Sequence, residues 1–212
     1  AKAVDAAGKD GSVLVEEAHS AKTSLDLIEG FRFDSGYLAT SFINDERSGT
    51  VLYDEPLILV TDEKIERVEQ ILPALELAAR ENRPTVFVAN DVVDQALAAL
   101  IMNTARGSMK VCAVKGPRYG EERRGIMKDL CSSIGATFIT REDGLQLKDV
   151  KLTHFGKAKK ISISKNNTAV IGGKGSQDEI DKKIEALKVE IRDTDSLQEC
   201  ERIQERITRL AS

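Results

Sequence analysis

From Pro56 onward the chain alternates short, wholly apolar runs with longer amphipathic ones, and nothing else in it constrains the fold as tightly. Leu57–Val60 (LILV), Thr85–Ala89 (TVFVA) and Val111–Val114 (VCAV) have no polar face. Strands of that kind suit a parallel sheet covered on both sides. Between them lie the helical segments Glu63–Glu81 and Val92–Arg106; a third helix, Glu121–Ile134, leads to a fourth strand at Thr137–Thr140. The order βαβαβαβ is that of a Rossmann-like α/β layer. Pro73 interrupts the first helical segment. The expectation is therefore a turn ending at Ile71 and a new helix near Leu72, with Pro73 at its first position.

The flanks read differently. A helix ends at Gly8–Gly11, Ser12–Glu16 reads as a short strand, and Leu25, Leu27 and Phe31 alternate with polar residues as in a half-buried strand. Gly30 and Gly36 bracket FRFDS and let the backbone bend on either side. After a polar interval, Arg141–His154, the segments Lys160–Ser164 and Thr168–Ile171 form a hairpin closed at Lys165–Asn167. Two amphipathic helices follow, one carrying Ile180, Ile184, Leu187 and Ile191, the other Ile203, Ile207 and Leu210. Asp193–Ser196 joins them as an αα-hairpin. The fold class is α/β: a Rossmann-like parallel sheet flanked by helices, with added hairpin strands and a C-terminal αα-hairpin. No low-complexity linker divides the 212 residues, so one domain with an N-terminal appendage is expected.

Composition narrows the function classes. A net charge of −4 with both signs mixed offers no basic stripe for nucleic acid and no polybasic membrane patch. Only 4% of residues are aromatic, too few for stacking platforms on single strands. No apolar run approaches transmembrane length, and AKAVDAAGKDG is not a signal peptide. Cys112, Cys131 and Cys200 are dispersed and odd in number, which suits free thiols in a reducing compartment. With only His19 and His154, no metal site is expected. Gly172-GKGS-Gln177 lacks the spacing of a phosphate-binding loop. Lys115–Arg124 lies where open α/β sheets bind ligands, and it keeps alive an alternative: an enzyme or small-molecule binder using Gly116–Gly120, Arg118 and Arg123. Paired carboxylates fall in first turns of helices, where the macrodipole favours them, so no catalytic constellation emerges.

Apolar surplus does emerge. In Asp91–Gly107, with Asp91 as N-cap and Gly107 as C-cap, Val93, Ala96, Leu97 and Leu100 share a core face. Ile101 sits at its edge, and Met102 lies roughly 160° from Leu100 at 3.6 residues per turn. Leu72 and Leu75 crowd the start of the preceding helix, and Tyr37, Leu38 and Phe42 occupy a segment too polar for a central strand. Consecutive helices on one sheet face run side by side, so their outward residues frame an apolar groove for a segment of another protein. The competing structural reading buries Asp91–Gly107 on nearly all sides with no partner.

Several stretches resemble the apical domain of the group I chaperonins, the GroEL family: EGFRFDSGYLATSFIN (29–44), ILPALE (71–76), DVVDQALAALIMNTARG (91–107), KVCAVKGPRYGEERRGIMKDL (110–130), GAT (135–137) and ERITRLA (205–211). The resemblance implies a partial intermediate-domain segment over 1–28, a hinge at Gly30 and an apical domain over 29–212. It implies that Tyr37, Phe42, Leu72, Leu75, Leu97, Ile101 and Met102 bind non-native polypeptides and, in competition, the mobile loop of a co-chaperonin. Asn103 and Arg106 would position the rim helix. ATP and magnesium belong to the family's equatorial domain, whose phosphate-binding motif is absent here, so no cofactor and no catalysis are expected of this chain. The parent would be a homo-oligomeric double ring and the isolated chain a monomer, in the cytoplasm or, for an organellar form, the mitochondrial matrix or plastid stroma. Departures are Ser41 for an aromatic, Thr40 for a proline, Ser35 for a basic residue, Met102 for a β-branched one and Arg118-Tyr119 for Gly-Phe.

Overall fold

The computed structural model describes residues 30–211. The readings at 8–16, Leu25 and Leu27, and the 1–28 segment lie outside the described residues. The three faceless apolar runs form β3 (Leu57–Val60), β5 (Thr85–Ala89) and β7 (Val111–Lys115), parallel in the order β3-β5-β7. All of their residues are buried except Lys115, as strands with helices on both sides must be.

The rest of the sheet is antiparallel. The long strand β8 (Gly156–Ile163) pairs β3 through Leu57 and Ile58 and then β2 (Val51–Asp54) from Val51↔Ile163 to Asp54↔Lys160. Its other edge pairs β9 (Thr168–Gly173), which pairs β1 (Phe31–Phe33). Here the sequence alternates, FRF and VLYD, and burial alternates with it. The result is one mixed seven-stranded sheet in an α/β fold.

Helices α1 (Val68–Glu81) and α2 (Asp94–Ala105) connect β3 to β5 and β5 to β7; as consecutive crossovers in a parallel sheet they share a face and pack together. Helix α3 (Gly120–Ile134) packs against β1, β3, β8 and β9, with α4 (Gln177–Asp193) and α5 (Leu197–Ala211) against it. The terminal αα-hairpin is thus as expected: Ile180, Leu187, Ile203 and Leu210 are buried, and Ile184, Ile191 and Ile207 pack against the core.

Three expectations need correction. The fourth parallel strand is a single bridge, Thr61↔Ile139, because a 3₁₀ turn begins at Arg141, with Thr140, still extended, as its cap and its hydroxyl accepting from Glu142 N–H. Pro73 lies inside α1 and does not start it. The helix tolerates the missing donor because Ile71, Ala74, Leu75 and Ala78 bury one face, and Gln70 caps the start by accepting from the Glu66 and Arg67 amides. The interval 141–154 is not merely polar. Three short 3₁₀ turns run through it, with Leu147 and Val150 buried.

Candidate functional site: the outer face of α1 and α2

The two helices are held in register at their N-terminal ends by a device not anticipated from the sequence. Residues preceding them form a separate two-stranded parallel ladder, β4 (Lys64–Ile65) with β6 (Asp91–Val92). Beyond the ladder, Val93 N–H donates to Ile65 O at 2.9 Å and Ala96 N–H to Glu66 O at 3.2 Å. The lead-in to α1 therefore satisfies an amide that α2's first turn leaves open. Asp91 is consequently a strand residue, its carboxylate accepting from the adjacent Val92 amide. Val93 takes the N-cap position without a side-chain cap. At the other end Arg106 is the C-cap and Gly107, at φ +73°, takes the left-handed conformation that ends the helix. Thr104 Oγ1 donates to Val111 O at 3.0 Å and ties this end to β7.

On this frame Leu72 is 45% exposed and Met102 49%, two of the few large apolar side chains that face solvent among the described residues. They lie on adjacent helices. Leu97 and Ile101 are half-buried, packed against the core from α2's flank. At the C-terminal ends of both helices lies a cavity of about 250 Å³, lined by Ala78, Ala79, Asn82, Ser108 and Met109 among others. Asn103 donates from Nδ2 to Ala99 O one turn back, an interaction within the helix, and Arg106 is exposed.

Leu75 and Phe42 are not on the open surface. Leu75 is 5% exposed, because it falls three to four residues from Ile71 and Ala78 on α1's core face. Phe42 is fully buried. Its segment runs as a strap along the outer edge of β7, where Tyr37 bridges Val114 and Leu38 N–H donates to Ala113 O at 3.0 Å. Tyr37 N–H also donates to Ser164 O, and its hydroxyl to Gly49 O, leaving the ring half-buried. The strap approaches so closely that a Cβ on Gly36 would lie 1.9 Å from Ser164 O. The turn Thr40–Phe42 then packs on α2. The strap supplies a sheet edge with partners and a helix with backing, and Phe42 is its anchor in the core. Gly30 adopts φ +95° beside β9, where a Cβ would lie 2.5 Å from Val170 O.

The loop 115–120 is heavily tied. Arg118, at φ +57°, pairs with Asp34 at 3.2 Å, with Glu205 at 3.3 Å and with Glu122. The hydrogen bond to Glu122, with help from the other two carboxylates, raises the guanidinium's pKa above its ordinary value. Arg123 donates to the Arg118 carbonyl and to Asn90. The two cations an anionic ligand would use are thus already engaged by protein acceptors. The glycines of 172–176 serve packing: Cβ atoms on Gly173 and Gly175 would lie 2.3 Å from Ser133 O and 2.0 Å from Ser132 O. Ser176 caps α4 by accepting from Glu179 N–H.

Of the cysteines, Cys112 and Cys131 are buried thiols; desolvation pushes Cys112 far up and Cys131 to about 12. Among the described residues no group of His, Cys, Asp or Glu side chains is arranged to hold a metal, and no helix is long and apolar enough to cross a membrane.

One residue of α3 carries a signal visible in the sequence, a carboxylate at an apolar helix position. Asp129 falls on the helix's apolar face, among Ile126, Leu130 and Ser133, and is fully buried. A carboxylate there requires cations. Arg206 of α5 binds it with two nitrogens at 2.7 and 2.9 Å, and Lys183 of α4 lies at 3.1 Å. No protein-family model matches the chain.

Proposed function

We propose that the chain is the polypeptide-binding apical domain of a group I chaperonin, capturing non-native proteins on the outer face of α1 and α2 and presenting the same face to the mobile loop of a co-chaperonin. The observation that carries the reading is the exposure of Leu72 and Met102 on neighbouring helices whose N-terminal ends the β4–β6 ladder fixes. Leu97 and Ile101, half-buried on the same helix as Met102, and Tyr37, half-buried on the strap, would add apolar surface to this face. Asn103 and Arg106 keep the positioning role, Asn103 through its bond within α2.

Capture works by desolvation. An unfolded segment laid across the two helices removes apolar surface from water at about 25 cal/mol per Å², less the cost of ordering the segment. The flexible thioether of Met102 adapts to unlike side chains, which suits a site that must accept many sequences. Phe42 and Leu75 act beneath the site: they hold the strap and α1 in place and do not contact the client. The reading gives this chain no catalytic step. ATP hydrolysis, magnesium and the double ring belong to the rest of the parent, in which rotation about Gly30 would withdraw the face and release its client.

The test is a titration of an acid- or urea-unfolded protein, and of a lid-loop peptide, against wild type, Leu72→Glu and Met102→Glu. Each substitution places a charge in the apolar contact, and affinity should fall at least tenfold for both ligands. Unchanged affinity in both variants removes this face from the site.

A further inference from the structure

At the carboxyl end of the parallel strands the strand order turns back on itself, and a cavity lies at the turning point. The chain builds β3, β5 and β7 outward in sequence and then returns through α3 to Ile139. Ile139 joins the edge of β3 that does not face β5: its N–H donates to Val60 O at 3.0 Å and its carbonyl accepts from Asp62 N–H at 3.2 Å, whereas Thr61 N–H donates to Val88 O of β5. In open α/β sheets the crevice beyond the strand ends at such a reversal is where ligands bind. Here it holds a cavity of about 390 Å³, lined by residues 62–64 after β3, Gln70 of the first turn of α1, and residues 140–142 after the bridge. Small-molecule sites span about 300–1,000 Å³, so the size is sufficient.

The walls of this cavity are fixed by their own hydrogen bonds. Asp62 Oδ2 accepts from the hydroxyl of buried Thr140 at 2.7 Å and from Arg124 at 3.3 Å, which leaves Oδ1 without a donor among the described residues. Glu63 accepts from the Leu147 amide at 3.0 Å, and Glu142 pairs with Arg124. Gln70 accepts from the Glu66 and Arg67 amides and donates to Lys64 O at 3.2 Å, clasping the loop to α1. Two cations remain, one from each segment. Lys64 and Arg141 are exposed and, among the described residues, their side chains enter no ion pair and no hydrogen bond. The end of β7 is the reverse case, since Arg118 and Arg123 are held there by protein acceptors.

We propose that this cavity binds a small hydroxylated anion of the sugar-phosphate class. Lys64 and Arg141 supply the charge for a phosphate group, the ammonium as a point charge and the guanidinium as a fork of donors. An ionised carboxylate only accepts, so the open Oδ1 of Asp62 calls for a donor, which a sugar hydroxyl provides. Because Asp62 and the loop are already held in place, little ordering cost remains for the ligand to offset. An inorganic anion uses only the two cations, and a neutral sugar only the carboxylate. The class follows from needing both.

Titration of ribose phosphate, inorganic phosphate and ribose against the full chain at low salt, followed by calorimetry and by amide NMR shifts, tests the site. Ribose phosphate should saturate below ~10 mM and bind about tenfold tighter than either of the other two, with shifts centred on residues 61–64 and 139–142. The double variant Lys64→Gln/Arg141→Gln alters only exposed side chains without partners, so thermal unfolding should stay unchanged while affinity falls about tenfold. Asp62→Asn, which keeps the shape but turns the open acceptor into a donor, should narrow the advantage of ribose phosphate over inorganic phosphate. Failure of ribose phosphate to saturate, or binding that survives the double variant, overturns the site. Equal affinities for ribose phosphate and inorganic phosphate overturn the hydroxylated class.

Discussion

The two helical layers of this molecule are fastened by different physics. Among the described residues no ion pair touches α1 or α2, whereas every pair has a partner on α3, α4 or α5 or in the loop that begins α3. Asp129 locks α3 to both helices of the C-terminal hairpin, and Arg118 gathers carboxylates from the β1 end, α3 and α5. The first layer is held by apolar burial beneath it and by backbone bonds at its ends. Charge pairs fix orientation but occupy the surface they form on. Apolar anchoring from below leaves the outer faces of α1 and α2 unspent, with Leu72 and Met102 in water and, among the described residues, Glu69, Glu76 and Arg106 outside any ion pair.

The sharpest way to break this contrast is to remove the apolar anchors. Phe42→Ala should destabilise the fold by about 3–5 kcal/mol and Leu75→Ala by about 2–5, read from urea unfolding. A loss below ~1 kcal/mol at Phe42 would mean the strap is not the backing of α2. In the other layer, Arg206→Ala leaves the buried Asp129 with Lys183 alone and should cost about 3 kcal/mol. Amide exchange should quicken in α4 and α5 before α1 and α2; uniform quickening would show that the layers unfold together.

A smaller effect is expected from pH. Cys131 has a folded pKa raised to about 12, and Cys112 is raised as well, both chiefly by burial. A thiol raised in the fold contributes its full stability below the unfolded-state pKa of ~8.5 and loses it as pH climbs towards the folded value. Unfolding curves should therefore weaken from about pH 9 upwards, and Cys131→Ala should flatten that slope. Smallest of all, Leu72→Ala and Met102→Ala should change stability by less than ~0.5 kcal/mol while weakening polypeptide binding. A large stability loss from either would make these residues core and not surface.

Much of the architecture was legible in the chain. Strands without a polar face became the doubly covered parallel strands, the alternation reaching Phe31 became a half-exposed antiparallel strand, and the tail became an αα-hairpin, whereas Val51–Asp54 was not read as a strand. What escaped was short or non-local. The β4–β6 ladder has two residues per strand, too few for any period to show, and it makes Asp91 a strand residue and Val93 the N-cap. Local chemistry favours Pro73 at a helix start; packing of Ile71, Ala74 and Leu75 overrides that preference and keeps it inside α1.

The surplus of apolar residues on successive helices was determined by the sequence alone, since periodicity fixes where each side chain points around its own axis. Which of them stay in water was decided only by the tertiary structure. Leu72 and Leu75 are three residues apart on one helix, yet one is 45% exposed and the other 5%. A helix's own pattern does not contain what lies beyond each face. That depends on the strap, on the 3₁₀ turn at Leu147–Asp149 and on the neighbouring helix, all brought in from distant parts of the chain.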